Sequence, residues 1–260
     1  MTHKSPQTRH PGQEGATLHA LFPTLVYQNA LRDPAALHAL FEQAWQQYGF
    51  QSEGGRGGQH FTGEYHGQSR LHQSPHLEPF FDQLAHHVRL YLQSLGMKAE
   101  LFDVHCLKTW FVRCPPDEQA GDALLPHNHS CSDISWVYYV DVPPDCPAIR
   151  FHAGRTPPSA PFESAFHYDW QDDQKSSLST INCWNSDVWS VQPATGDLLI
   201  FAGHQLHSVE SNHTTATRLS VAGDIALTLR PEYQNLEFGR TPASHCKTLS
   251  RQDSAADGRL

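Results

Sequence analysis

From residue 101 onward the chain breaks into short β-rich runs separated by turn signals about every ten residues. The runs are "LFDVHCLKTWFVRC", "DISWVYYVDV", "AIRFH", "DVWSVQP", "DLLIFAG", "HSVE" and "TRLSVAGDIALTL". Pro143-Pro144 closes the second, and "ATG" marks a turn before "DLLIFAG". Runs this short, this numerous and this regularly punctuated predict a β-sandwich or barrel.

The first hundred residues read differently. "LFPTLVYQNAL" predicts a strand over Leu21–Tyr27. Asp33 is a good helix N-cap and Pro34 a good first helical residue. Leu37, Leu40, Phe41, Ala44 and Trp45 then recur at helical spacing up to Gly49. A second helix is expected from Ser74-Pro75 to Gly96, with Leu77, Phe80, Phe81, Leu84, Val88 and Leu92 in one stripe. The Gly-rich stretch 51–74 lies between them. Its spacing fits no phosphate-binding motif, so it reads as a long connection or a lid over a site. Two helices followed by many strands predict helices on the outside of one sandwich. The expected organisation is a disordered arm over 1–16, a single domain over 17–235 with helices at about 33–48 and 75–96, and a loose tail over 236–260. No internal repeat is visible.

Composition bounds the partners. The formal charge is −9, which disfavours nucleic-acid phosphates and anionic membranes. No apolar run is long enough to span a bilayer, and the polar start is no secretory signal. The six cysteines form no C-x-x-C pair, which argues against a zinc ribbon or a thioredoxin-like motif. A reducing cytoplasm is the expected location.

Three features carry chemistry. His127 and His129 lie one residue apart in "PHNHSCSDISWVYYV". If the segment is extended, both imidazoles face one way and can share a metal ion. In a chain with 19 histidines, a chance pair facing solvent is the alternative. The second feature is His207 in "DLLIFAGHQLHSVE", at the start of a strand; His204, in the preceding turn, competes with it. The third is Arg218 with Ser220 in "TRLSV", eleven residues beyond His207 and on one strand face. A buried arginine needs an anion: a ligand's carboxylate or one of the chain's own acidic residues.

Together these residues resemble the iron(II)/2-oxoglutarate-dependent dioxygenase superfamily, and within it a branch with H-x-H followed by a "SGVYYV"-like strand. The resemblance covers residues 20–30 and 100–230. It is carried by "PHNHSCSDISWVYYVDVP" and "VQPATGDLLIFAGHQLHSVESNHTTATRLSV". It implies a double-stranded β-helix, or jelly roll, with flanking N-terminal helices and one Fe(II) at its mouth. His127, His129 and His207 would ligate the metal. Arg218, Ser220 and Tyr139 would hold 2-oxoglutarate, which reacts with O2 to give succinate and CO2 while a C–H bond of a small-molecule, amino-acid or peptide substrate is hydroxylated. Trp110 and Trp136 are candidates to line the substrate pocket, with plain core aromatics as the commoner alternative.

The chain departs from the superfamily pattern at His129, where Asp or Glu is usual. A neutral imidazole there leaves the metal one positive charge richer, which the 2-oxoglutarate dianion can offset. Asp133 is the candidate replacement carboxylate. The branch also has Gly where Trp136 stands, so Trp136 is expected to narrow the substrate space. Two other readings fit the histidines: a cupin-like three-His metalloenzyme that does not use 2-oxoglutarate, and a non-catalytic metal- or ligand-binding jelly roll. Arg218 and Ser220 favour the first reading over both.

Overall fold

A computed structural model describes residues 23–50, 62–116, 123–153, 174, 177 and 186–233. It also describes two short paired strands, β1 (Gln7–Thr8) and β2 (Leu18–His19). The rest of the expected arm, most of the 153–187 excursion and the tail beyond 233 lie outside the described residues.

The ordered elements are β3 (Tyr27–Ala30), α1 (Pro34–Tyr48), α2 (Glu78–Ser94), β4 (Phe102–Cys114), β5 (Leu124–His127), β6 (Ile134–Asp141), β7 (Ile149–His152), β8 (Val188–Val191), β9 (Asp197–Ala202), β10 (His207–Val209) and β11 (Arg218–Leu229). They form two antiparallel sheets. One has five strands in the order β3-β9-β6-β11-β4, the other four in the order β5-β10-β7-β8. This is the jelly-roll arrangement of a double-stranded β-helix, with both helices ahead of it in the chain. Among the described residues no helix is long and apolar enough to cross a membrane.

Two sequence expectations shift. The first strand begins at Tyr27 and runs to Ala30, so 23–26 are irregular. The second helix begins at Glu78, after a 3-10 turn at Pro75–Leu77. Pro79 is the reason. It lacks an N–H, and its ring would clash with the carbonyl four residues back, so it is tolerated only in a helix's first turn. Asp33 does cap α1, its carboxylate accepting from Ala36 N–H at 3.2 Å.

The five-stranded sheet has two different faces, and period-2 alternation sorts the residues between them. Ile134, Trp136, Tyr138 and Val140 of β6, with Leu198 and Ile200 of β9 and Val221 of β11, face the helices. There Phe41 of α1 and Phe80 of α2 meet Tyr138 at ring separations of 5.4 and 5.1 Å. Each fully buried aromatic or aliphatic side chain in this layer contributes about 1.5–3 kcal/mol relative to exposure. The opposite face presents Tyr139, Leu199 and Phe201 to Ile149, Phe151 and Val209 of the four-stranded sheet. At one end this second layer opens into a cavity.

Trp136 belongs to the first face, in line with the core-aromatic alternative. The residue borders the cavity, but its indole is fully buried and packs against Phe80 and Phe81 at 5.4 and 6.5 Å. Gly223, its cross-strand partner, makes the room: a Cβ there would lie 2.5 Å from Trp136 Cζ2.

Candidate metal centre

The cavity has a volume of about 530 Å³ and lies between the sheets. Its floor is built from alternate residues of three neighbouring strands: Trp110 and Val112 of β4, Ser135, Val137 and Tyr139 of β6, and Arg218, Ser220, Ala222 and Asp224 of β11. The described part of the Gly-rich connection runs along β4, bridging Thr62 to Val112 and Arg70 to Thr109. It adds Thr62, Glu64 and Tyr65 to the cavity's edge.

His127, His129 and His207 converge here. One nitrogen of each lies within 4.8 Å of those of the other two. Strand pairing sets the first and third, since His207 opens β10 and sits opposite His127 at the end of β5. His129 is placed by a different device than the sequence suggested. The strand stops at His127, so His129 sits on the turn that follows. That turn is fastened where His129 N–H donates to Gly203 O at 2.8 Å and Ser132 N–H donates to His129 O at 3.0 Å. Gly203 permits the approach, because a Cβ there would collide with Ser132 Oγ and the Ser132 carbonyl. His204 is exposed on the neighbouring turn and takes no part in the cluster.

The ring nitrogens pointing away from the cluster are all engaged. His127 Nδ1 meets Leu125 O at 2.7 Å, and His207 Nδ1 meets Gln205 O at 2.9 Å. A carbonyl only accepts, so each Nδ1 carries the proton and each Nε2 keeps its lone pair. His129 Nδ1 lies 3.1 Å from Asp224 Oδ1 and 3.3 Å from Oδ2. Burial pushes the His207 imidazole down to about 3, with His127 beside it adding to the shift. Burial lowers His127 in the same direction. Three imidazoles whose outer ring nitrogens are already engaged suit a divalent transition metal.

Arg218 is 1% exposed, and no carboxylate partners it among the described residues. Its Nη1 donates to Pro147 O at 2.8 Å, its Nη2 reaches Cys114 Sγ at 3.3 Å, and its Nε has no partner. The guanidinium lies 5.6 Å from the centre of the Tyr139 ring. Burial pushes the Tyr139 phenol up to about 12, so it keeps its proton and can donate. Ser220, also buried, lies two residues along β11 and on the same cavity wall. A buried cation without a counter-charge is expensive unless an anion joins it. Trp110 stacks on His129 with ring centres 5.7 Å apart.

Asp133 does not supply the replacement carboxylate. Its side chain accepts from Leu227 N–H at 2.8 Å, and its backbone pairs with Ile225 and Gly203. It is thereby tied into the end of the sheet. The carboxylate beside the cluster is Asp224, which the sequence reading missed. Its signal was present: an acidic residue inside the apolar run "SVAGDIAL", at even spacing from Arg218 and Ser220, belongs on the same buried face.

A double-stranded β-helix thus carries, in one cavity, three imidazoles able to hold a metal ion and a buried guanidinium with no carboxylate partner among the described residues, able to take an anion. Residues 108–224, which run from β4 into β11, match the family described as "Putative 2OG-Fe(II) oxygenase". The match covers somewhat less than half of the chain. No curated protein matches the sequence. Among solved structures it is similar to the non-heme alpha ketoglutarate dependent epimerase SnoN from nogalamycin biosynthesis, with 15% identity, a TM-score of 0.49 and coverage of 80% of this chain and 82% of that one. It is also similar to the carbocyclase SnoK from the same biosynthesis, at 13% identity and a TM-score of 0.48, covering 84% and 89%. A Pseudomonas putida prolyl-4-hydroxylase gives 15% identity and a TM-score of 0.44, covering 78% and 88%.

Proposed function

We propose that the cavity is the active centre of a 2-oxoglutarate-dependent oxygenase that hydroxylates a C–H bond of a small-molecule, amino-acid or peptide substrate. His127, His129 and His207 would hold Fe(II), and Arg218, Ser220 and Tyr139 would hold 2-oxoglutarate. One observation carries this reading: three converging imidazoles and a buried arginine with no carboxylate partner among the described residues share one cavity.

The chemistry the bound group supplies is O2 activation coupled to conversion of 2-oxoglutarate into succinate and CO2. The chain's own residues do the rest. Arg218 offers a planar fork to the far carboxylate of the cosubstrate, and its partnerless Nε adds a donor. Tyr139 donates its retained phenol proton, and the Ser220 hydroxyl adds a further donor. Val112, Val137 and Ala222 keep the inner cavity apolar, which strengthens these contacts and excludes water. Tyr65 and Leu125, 64% and 75% exposed at the cavity's edge, are placed to meet substrate. The thiols of Cys106, Cys114, Cys131 and Cys146 are free, which suits a reducing cytoplasm.

The test mixes protein, Fe(II) and 2-oxoglutarate without air and looks for the weak visible absorption of the metal–2-oxoglutarate chelate. Admission of O2 should then release succinate, slowly without substrate and faster with it. Metal binding with no chelate band would refute the cosubstrate assignment and favour a three-His metalloenzyme of another kind.

A further inference from the structure

The chain places a histidine where the superfamily pattern has a metal-binding carboxylate, so the centre lacks a negative charge among its direct ligands. Asp224 stands next to that histidine. It is 5% exposed and lies in the middle of β11, and its carboxylate meets His129 Nδ1 through both oxygens, at 3.1 and 3.3 Å. Ser135 Oγ donates to Asp224 Oδ1 at 3.1 Å, and Ser132 Oγ lies 3.3 Å from Ser135 Oγ. No lysine or arginine forms an ion pair with Asp224 among the described residues. Lys108, Asp224's partner across β4, attracts it only at a distance, its ammonium being bound to Glu64 at 2.7 Å. A buried carboxylate held only by an imidazole nitrogen and a serine hydroxyl is poorly compensated. It is well compensated once the imidazole it touches carries a divalent cation on its far side.

We propose that Asp224 is the positioning residue of the metal centre: by accepting the Nδ1 proton of His129 it fixes that ring's tautomer and orientation, and it supplies from one ligand further out the negative charge that His129 cannot. The inference rests on the three-histidine reading of the site. Asp224 itself touches neither metal nor cosubstrate. His127 and His207 have neutral backbone carbonyls at the equivalent nitrogen, so the effect falls on one ligand of the three. Strand register gives the reason it falls there: Asp224 pairs with Ser135 across β6 and so faces the turn that carries His129.

The test is a titration of the metal-free protein with Co(II), read by its visible ligand-field absorption and by calorimetry. Asp224→Ala should weaken metal binding about 10- to 100-fold, the range typical of such outer partners. Asp224→Asn keeps the size and an oxygen acceptor for Ser135 while removing the charge, so it should bind metal with intermediate affinity and a shifted absorption. A merely structural role would lower stability and leave both readouts unmoved in the folded Asp224→Asn variant. The decisive comparison is made on a His129→Ala background, where Asp224→Asn should leave the remaining metal affinity unchanged. Equal Co(II) affinity in wild type and Asp224→Asn overturns the proposal, as does an undiminished effect of Asp224→Asn when His129 is absent. Failure of the wild-type protein to bind Co(II) overturns the three-histidine reading and this inference with it.

Discussion

Replacing Arg218 with methionine tests the cosubstrate site directly. The guanidinium is 1% exposed, with Pro147 O and Cys114 Sγ as its only hydrogen-bond acceptors among the described residues. On the proposed assignment, the far carboxylate of bound 2-oxoglutarate would become the counter-charge that the described residues do not supply. Removing one partner of a buried, hydrogen-bonded charge pair typically costs about 2–5 kcal/mol of binding. That corresponds to a Kd raised by roughly 30-fold to several thousand-fold, at 1.36 kcal/mol per decade. On the same assignment the other end of the diacid would still reach the metal, so binding should weaken rather than vanish. Arg218→Lys keeps the charge and loses the fork, and should fall between, with a loss of about one charge-assisted hydrogen bond, ~1.5–3 kcal/mol. Stability should move the other way. In the ligand-free protein the buried charge is undercompensated, so methionine should leave the unfolding free energy equal or raise it. Anaerobic calorimetric titration of the Fe(II)-loaded protein measures the first quantity, and denaturant unfolding of the metal-free protein the second. Unaltered 2-oxoglutarate affinity in Arg218→Met, or a loss of several kcal/mol of stability, would refute the assignment and make Arg218 a structural residue.

Three further outcomes are expected. His207→Ala should abolish metal binding in a Co(II) titration while the fold persists; affinity equal to wild type would remove it from the ligand set. Gly203→Ala should cost about 1–3 kcal/mol in denaturant unfolding, because the added methyl meets the Ser132 backbone. It should also weaken metal binding by displacing the turn that carries His129. The metal-free protein should lose stability on acidification: His207 is held near 3 when folded against about 6.5 when unfolded, so the unfolded chain takes up the extra proton in between. The stability is present above about pH 6.5 and drains toward pH 3. His207→Gln should flatten that slope in unfolding curves taken across this range, and an identical slope would contradict it.

Strand positions were legible because their signals are local. The seven β-rich runs beyond residue 101 correspond to β4 and β6 through β11. β5 is the exception, since "LLPH" contains a proline and only four residues and carries no periodicity. His127, His207, Arg218 and Tyr139 could be named because each sits at a marked place: a strand end, a strand start, an alternating face. The Asp133 expectation failed for a physical reason. Proximity in sequence to His129 suggested a carboxylate swinging back, but the Leu227 N–H at the end of β11 is a fixed donor that captures it. Trp136 follows the core-aromatic alternative, although it borders the cavity. Its neighbours Ser135 and Val137 face the cavity, and an indole one residue out of phase must face the helices.

That phase is what joins fold and site. On β11 the even positions 218, 220, 222 and 224 border the cavity, while Leu219, Val221 and Ile225 pack under the helices. A slip of one residue against β6 would turn Arg218 and Asp224 into the aromatic layer and bring Leu219 and Val221 to the metal. Such a slip would bury two charged groups against Phe41, Phe80 and Phe111, at a cost of several kcal/mol for each ion. Arg218 and Asp224, the two buried charged side chains among the described residues, therefore oppose the misregistered sheet. They do so from opposite ends of the cavity, Arg218 beside Tyr139 and Asp224 beside His129. A bound metal and a bound diacid would relieve both in the correct register alone. The same ligands that the site needs for chemistry should thus deepen the preference for the one pairing that builds it.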